Sequence, residues 1–211
     1  MNPAEVSRMQ CGSRKMCFLG LRSNALLWNK LFFKKVIINN VSLGEYVHAE
    51  IIINGIPFAE ITEKHERLAA EKGTGDYKGL QYIYDLAHCL YDALANNTTR
   101  YDEDETQIPL MICNGCQEPG CSGLWVTIEE TDHGVVWHDI KNRAMAARRP
   151  GKTRWWIYDE FPDFCFDKTE YTAALDELKV IALAAEEHML ERRKQCEARR
   201  VASKIPERNS V

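Results

Sequence analysis

The 211-residue sequence lacks the long apolar segments that direct a chain to or through a membrane. No stretch approaches the roughly 18 uninterrupted apolar residues that a membrane-spanning helix needs, so we expect no transmembrane segment. The apolar run over residues 16–27 is interrupted by Gly20, Arg22, Ser23 and Asn24 and is not followed by a small-residue cleavage pattern. We therefore expect no signal peptide and a cytoplasmic location, in which the eight cysteines are reduced.

The sequence also lacks a complete catalytic signature. No serine follows the pattern of the strained elbow that hydrolases use, and Gly151-Lys152-Thr153 lacks the glycine and the helix of a phosphate-binding loop. Asp132-His133 and His138-Asp139 each place a carboxylate beside an imidazole, but neighbouring residues of a strand point to opposite faces. We therefore favour a protein without catalytic activity over an enzyme.

What is present is a composition typical of one globular domain, with 45% apolar and 27% charged residues. The charge is unevenly distributed along it. Residues 1–35 contain seven Lys or Arg and one Glu. Residues 192–211 contain seven Lys or Arg and two Glu. The stretch between them contains 13 basic and 28 acidic residues, a net charge of -15. We predict a basic N-terminal extension outside the fold (1–33), a single acidic domain (34–190) and a basic C-terminal tail (191–211).

The acidic body bears on the class of partner. A field of this sign repels phosphate backbones and accelerates encounters with cations, so we expect no nucleic acid on the body and favour a basic protein partner. The first functional hypothesis is an acidic binding or accessory protein, such as an immunity-type neutraliser of a basic protein. Solubility alone is the competing explanation of the same charge.

The hydrophobic pattern predicts an α+β fold with small antiparallel sheets and two or three helices. Strands are predicted over 36–43 and 46–58, with a turn at Asn54-Gly55, and over 108–113, 123–129, 135–140 and 155–158. Helices are predicted over 60–72 and 80–94. A long C-terminal helix is predicted from the Asp167 cap onward. Its apolar seam is Tyr171, Leu175, Leu178, Ala182, Ala185 and Met189.

Three cysteines form the densest chemical feature. Cys113, Cys116 and Cys121 are separated by turn-forming glycines and a proline, as in a knuckle that turns thiolates toward Zn²⁺. His133, His138 and Cys165 are the candidates for the fourth ligand. A zinc- or thiol-dependent enzyme is therefore the alternative function, and zinc is the one candidate cofactor. The spacing of Cys113 and Cys116 also fits a redox pair, and a tight turn of reduced cysteines, whose glycines shape the backbone, explains the same spacing.

The Cys113–Cys121 turn is followed by Val135-Val136-Trp137 and by Phe164-Cys165-Phe166-Asp167 ahead of Tyr171. This order resembles a family of small uncharacterised bacterial proteins. In that family a Cys-Gly-x-x-Gly-Cys turn, a Val-x-Trp strand and a Phe-x-Phe-Asp-x-x-x-Tyr helix start succeed one another. The resemblance covers residues 36–190. This sequence departs from the family pattern at Gln117, where the family has glycine. It also has two residues rather than one between Cys113 and Cys116. It implies an architecture and a bacterial cytoplasmic setting, and no activity.

Overall fold

The computed structural model describes residues 28–40, 44–72, 82–96, 107–116, 123–132, 134–142, 158 and 160–202. Its strands are β1 (Leu31–Asn40), β2 (Gly44–Ile53), β3 (Ile56–Pro57), β4 (Tyr82–Tyr84), β5 (Gln107–Cys113), β6 (Gly123–Glu130), β7 (Gly134–Asn142) and β8 (Phe164–Asp167). Its helices are α1 (Phe58–Glu71), α2 (Ala87–Asn96) and α3 (Lys168–Ala202). The predicted α+β class is confirmed, including the long C-terminal helix.

The first sheet is antiparallel and has the order β1-β2-β3. Asn54 and Gly55, with φ of 54° and 81°, connect β2 to β3. Positive φ at both central residues is the geometry that Asn-Gly favours in a two-residue hairpin. The turn predicted there is confirmed.

The second sheet is an antiparallel meander with the order β4-β5-β6-β7-β8. Its edge strand β8 was not predicted, because four residues are too few to show a period. The sheet contributes more side chains to the core than the first sheet or the helices do, with Trp137 and Phe166 fully buried and packed edge to face. The indole N–H of Trp137 donates to the Tyr171 hydroxyl at 3.3 Å, which fastens α3 to the sheet.

Isolated bridges join the two sheets at two places. Asn29, just before β1, forms a bridge with Phe166 of β8. His48 of β2 forms a bridge with Leu86, which lies just after β4. The Asn29 amide donates to the Cys165 carbonyl at 2.7 Å, and its side-chain oxygen accepts from Asn54 at 2.7 Å. The start of β1 therefore connects the β2–β3 turn to β8.

The N-terminal boundary differs from the prediction. β1 begins at Leu31, within the segment predicted to lie outside the fold, and Leu31 and Phe33 are buried. The ring of Trp28 and the carbonyl of Phe166 leave no room for a Cβ at Gly134. Residues 28–33 therefore belong to the fold, and residues 1–27 lie outside the described residues.

The helix predicted over residues 80–94 is wrong in its first half. Tyr82–Tyr84 form β4, paired with the last residues of β5, and α2 begins only at Ala87. Tyr84 is buried, and its hydroxyl accepts the Ala59 amide in the first turn of α1. Burial raises the pKa of Tyr84 to about 12. These tertiary contacts stabilise the extended segment over the helix that its spacing predicts. Of the strand predicted over 155–158, only Tyr158 is described, and it lies outside the strands.

Helix α3 follows the prediction at its start and along its seam. The Asp167 carboxylate accepts the Thr169 and Glu170 amides at 2.9 and 3.0 Å, as an N-cap does. The predicted seam residues Tyr171, Leu178, Ala182 and Ala185 are buried. The helix continues past the predicted domain end at residue 190. None of the described helices is long and apolar enough to cross a membrane.

Candidate functional site

The predicted metal ligands are only partly among the described residues. Cys113 ends β5 and is half-buried, and Cys116 is exposed in the turn that follows. Neither thiol is in a disulfide. Cys121 and His133 lie outside the described residues.

The strand register separates His138 from this turn. His138 pairs with Thr127 on β6, and Thr127 pairs with Gln107, the first residue of β5. Cys113 lies six residues further along β5, about 20 Å away at 3.3 Å per residue. His138 is therefore not placed to share a metal with Cys113.

Cys165 lies at the other edge of the same sheet, buried on β8. Within the described ranges, no three His, Cys, Asp or Glu side chains are close enough to hold a metal ion. Of the residues predicted to bind zinc or to act as thiols, Cys113 and Cys116 are therefore the described candidates. No third ligand lies near them within the described residues.

Asp139 serves the backbone rather than a catalytic histidine. It has φ of 51° at an irregularity in the β6–β7 pairing. Its carboxylate accepts hydrogen bonds from Gln107 and Lys141, both at 2.8 Å. The His138 ring lies 3.7 Å from the Glu129 carboxylate. Asp139 therefore stabilises the irregular strand and is not shown to orient His138.

His48 is a fully buried titratable group that the sequence analysis did not single out. Its Nδ1–H donates to the Tyr84 carbonyl at 2.8 Å, since a carbonyl can only accept. Its Nε2 is buried and has no hydrogen-bond partner within the described ranges. Burial lowers the pKa of His48, so the neutral ring is the folded form and connects the two sheets.

A groove of about 390 Å³ runs along the outer face of α1. Its apolar lining includes the exposed side chains of Ile56 and Leu68, and Lys72 pairs with Glu160 at 3.0 Å at its rim. The hydrogen bond from Lys72 lowers the pKa of the Glu160 carboxyl. Lys64 also lines the groove. With both signs of charge at the rim, this groove does not select a cationic partner.

Carboxylates are concentrated instead where the β6–β7 hairpin meets the start of α3. We call this group the acidic edge, and its members are Glu129, Glu130, Asp132, Asp167 and Glu170. Gly134 pairs with Asp167, and the Glu130 carboxylate lies 3.3 Å from Lys168, so this end of the hairpin is next to the first turn of α3. Glu129 precedes Glu130 on β6 and points to the other face of the sheet, where its carboxylate lies 3.7 Å from the His138 ring. All members of the acidic edge except the half-buried cap Asp167 are exposed.

The backbone under the acidic edge is held in place by local hydrogen bonds. The Thr131 amide and hydroxyl donate to the Gly134 carbonyl at 2.8 and 3.0 Å, and the Gly134 amide donates back to the hydroxyl at 3.1 Å. These hydrogen bonds hold Thr131 and Gly134 together at the end of the hairpin, so the neighbouring carboxylates project from defined backbone positions.

Sequence reasoning recognised the acidic body but not this edge. The run Glu129-Glu130-Thr131-Asp132 is visible in the sequence, whereas its proximity to Glu170 depends on the pairing of β7 with β8. That pairing brings together residues about forty positions apart, which no local pattern reports.

Comparisons with protein-family models, curated proteins and solved structures found no match for this chain. The resemblance to a bacterial family therefore stays a prediction.

Proposed function

We propose that this protein is a binding protein that captures a basic protein partner at its acidic edge, in the manner of an immunity-type neutraliser. The observation that carries the proposal is the charge of the described surface. In the described part of residues 36–191, 21 Asp or Glu accompany six Lys or Arg. Only Glu66, Asp85 and Asp163 of these carboxylates are buried.

The physical basis is long-range attraction followed by local pairing. A surface of one sign raises the encounter rate with an oppositely charged partner, and this effect weakens as salt screens it. Lys168 is the single Lys or Arg among residues 129–132 and 167–170. A partner presenting several Lys or Arg side chains to this surface would therefore meet little repulsion, whereas a nucleic-acid backbone would be repelled.

The first experiment measures binding of a defined probe, a lysine-rich peptide of about twenty residues, at about 50 mM salt and at about 500 mM salt. The test variant carries Glu129→Lys, Glu130→Lys and Asp132→Lys. We expect its affinity for the probe at low salt to fall at least about tenfold, a loss of about 1.4 kcal/mol.

The matched control carries the same number of reversals at exposed carboxylates elsewhere, Glu60→Lys, Glu71→Lys and Asp92→Lys. We expect the control to lose less than about threefold, because it changes net charge equally but leaves the acidic edge intact. Equal losses in the two variants would show that net charge alone attracts the probe, and the acidic edge would be rejected as the site.

The second arm uses the same pair of variants as baits in a cell extract at low salt. A basic protein retained by the wild-type chain and by the control, but not by the edge variant, would support the proposal. If no basic protein is retained in a way that depends on the acidic edge, the proposed function is contradicted.

A further inference from the structure

An exposed face of α3 carries apolar side chains, and at the middle of this face Glu187, Leu190 and Lys194 line a groove of about 460 Å³ together with Lys35 of β1. Val180, Leu183, Leu190 and Val201 are 68%, 57%, 56% and 59% exposed. Together with Glu187 and Lys194 they are separated by three, four, three, four and seven residues, which places them on one side of a helix. We call these six residues the outer stripe. A helix with one apolar seam on the domain and a second one in solvent has the pattern of a helix that pairs on both sides.

The charge along α3 reverses at the middle of the outer stripe. Residues 168–191 contain six Asp or Glu and two Lys or Arg, and residues 192–202 contain five Lys or Arg and one Glu. The helix dipole favours the same order of charges. It does not, however, account for apolar side chains on the same exposed face.

We propose that two copies of this chain pair through the outer stripes of their α3 helices in antiparallel orientation. The antiparallel arrangement sets the acidic half of each helix against the basic half of the other, whereas a parallel arrangement would set like charges together. This pairing is independent of the proposed function, because the acidic edge lies before the stripe begins.

A two-fold axis between Leu190 and Glu191 pairs the ends and the charged positions of the outer stripe. It places Val180 opposite Val201 of the second copy and Glu187 opposite its Lys194, with Leu183 level with Ala198 of that copy and Leu190 level with its Glu191. The contact extends along residues 180–201, about 33 Å at 1.5 Å per residue. This self-complementary arrangement is the one that a closed two-fold dimer requires.

A single pair of helices buries less than a standard protein interface, so we expect weak and salt-sensitive association. The full chain is studied by sedimentation velocity over a concentration series, at about 50 mM and about 500 mM salt. We expect a monomer–dimer equilibrium at low salt with a dissociation constant on the order of micromolar. A monomer at every concentration up to the highest accessible would overturn the proposal.

The apolar contact is tested with Leu183→Glu combined with Leu190→Glu. Both side chains are exposed, so the variant should keep its helix content, as measured by circular dichroism. We expect it to be monomeric. The matched control, Thr169→Glu with Thr172→Glu, adds the same charge on exposed positions of α3 before the stripe and should still dimerise. A dimer that survives the first variant would overturn the proposal.

Orientation is tested by charge reversal. Glu187→Lys and Lys194→Glu should each weaken the dimer at low salt by at least about fivefold, since each sets like charges opposite one another. The double variant should recover the wild-type affinity, because the pair is restored in the opposite sense. Absence of this recovery would overturn the antiparallel register.

Discussion

The two ends of the described chain are both basic, yet they join the fold in opposite ways. At the N-terminal end, Lys30, Lys34 and Lys35 are exposed while Leu31 and Phe33 between them are buried. At the C-terminal end, α3 leaves the sheets and its residues from 193 to 201 are all exposed. Charged residues thus mark the solvent-exposed side of a segment. Whether the segment packs on the domain depends on the apolar residues that alternate with the charged ones.

The same comparison holds for individual contacts. Asn29 is buried and hydrogen-bonded to both Cys165 and Asn54, so it connects the two sheets. The corresponding contact at the other end is made by Arg192, whose guanidinium donates to the Glu45 carbonyl and lies 5.2 Å from the Tyr46 ring centroid. Arg192 belongs to α3 and is half-buried, and these contacts are made to β2 alone. We therefore expect the N-terminal end to contribute far more to the free energy of unfolding.

The largest effect should come from removing residues 28–33. A chain that begins at Lys34 is compared with one that begins at Trp28, so that only those six residues differ. Full burial of a large apolar side chain contributes about 1.5 to 3 kcal/mol, and Leu31 and Phe33 are both lost. We expect the free energy of unfolding, measured in urea, to fall by at least about 3 kcal/mol, a large part of a typical domain's stability. Equal urea midpoints for the two chains would contradict the assignment of residues 28–33 to the core.

A smaller effect is expected from single residues of β1, where two adjacent phenylalanines provide their own control. Phe33 is 8% exposed and Phe32 is 45% exposed. Phe33→Ala should cost about 3 to 5 kcal/mol in urea unfolding, through lost burial and the cavity that remains. Phe32→Ala should cost less than about 1 kcal/mol, as surface substitutions usually do. If the two variants lost the same stability, the alternation of β1 would be the wrong account of this end.

The smallest effect is expected at the C-terminal end. A chain that ends at Arg193 keeps Arg192 but loses the exposed end of α3. Its free energy of unfolding should change by less than about 1 kcal/mol, because every described residue that is removed, 194–201, is exposed. The measurement belongs at about 500 mM salt, where the proposed helix pairing is screened and does not add to the apparent stability. A loss as large as that of Phe33→Ala would show that the tail packs on the domain.

Several elements could be predicted because their signals are local. The Asp167 cap and the seam of α3 lie within one continuous helix, and Asn54-Gly55 specifies its own turn. β5, β6 and β7 are strongly apolar runs, and their predicted bounds lie within two residues of those observed. The four residues of β8 and the three of β4 carry too little pattern to be recognised.

The candidate site was less predictable than the fold. Cys113 and His138 are 25 positions apart in the sequence and were proposed as ligands of one metal. Whether they meet depends on the register of β5, β6 and β7, and that register sets them at different ends of the sheet. The spacing of the cysteines predicts a turn. Which residue of another strand lies near that turn, and could be the fourth ligand, depends on the register of the strands.

By itself, the sequence determined the α+β class, the start and inner face of α3, and the excess of negative charge in the middle of the chain. These properties follow from composition and from periodicities of a few residues. Only the tertiary structure decided that residues 28–33 enter the fold, that residues 82–84 form a strand, and that Glu130 lies beside the first turn of α3. Those outcomes depend on contacts between segments far apart in the chain. Their free energy comes from burial and hydrogen bonds that exist only once the two sheets are joined.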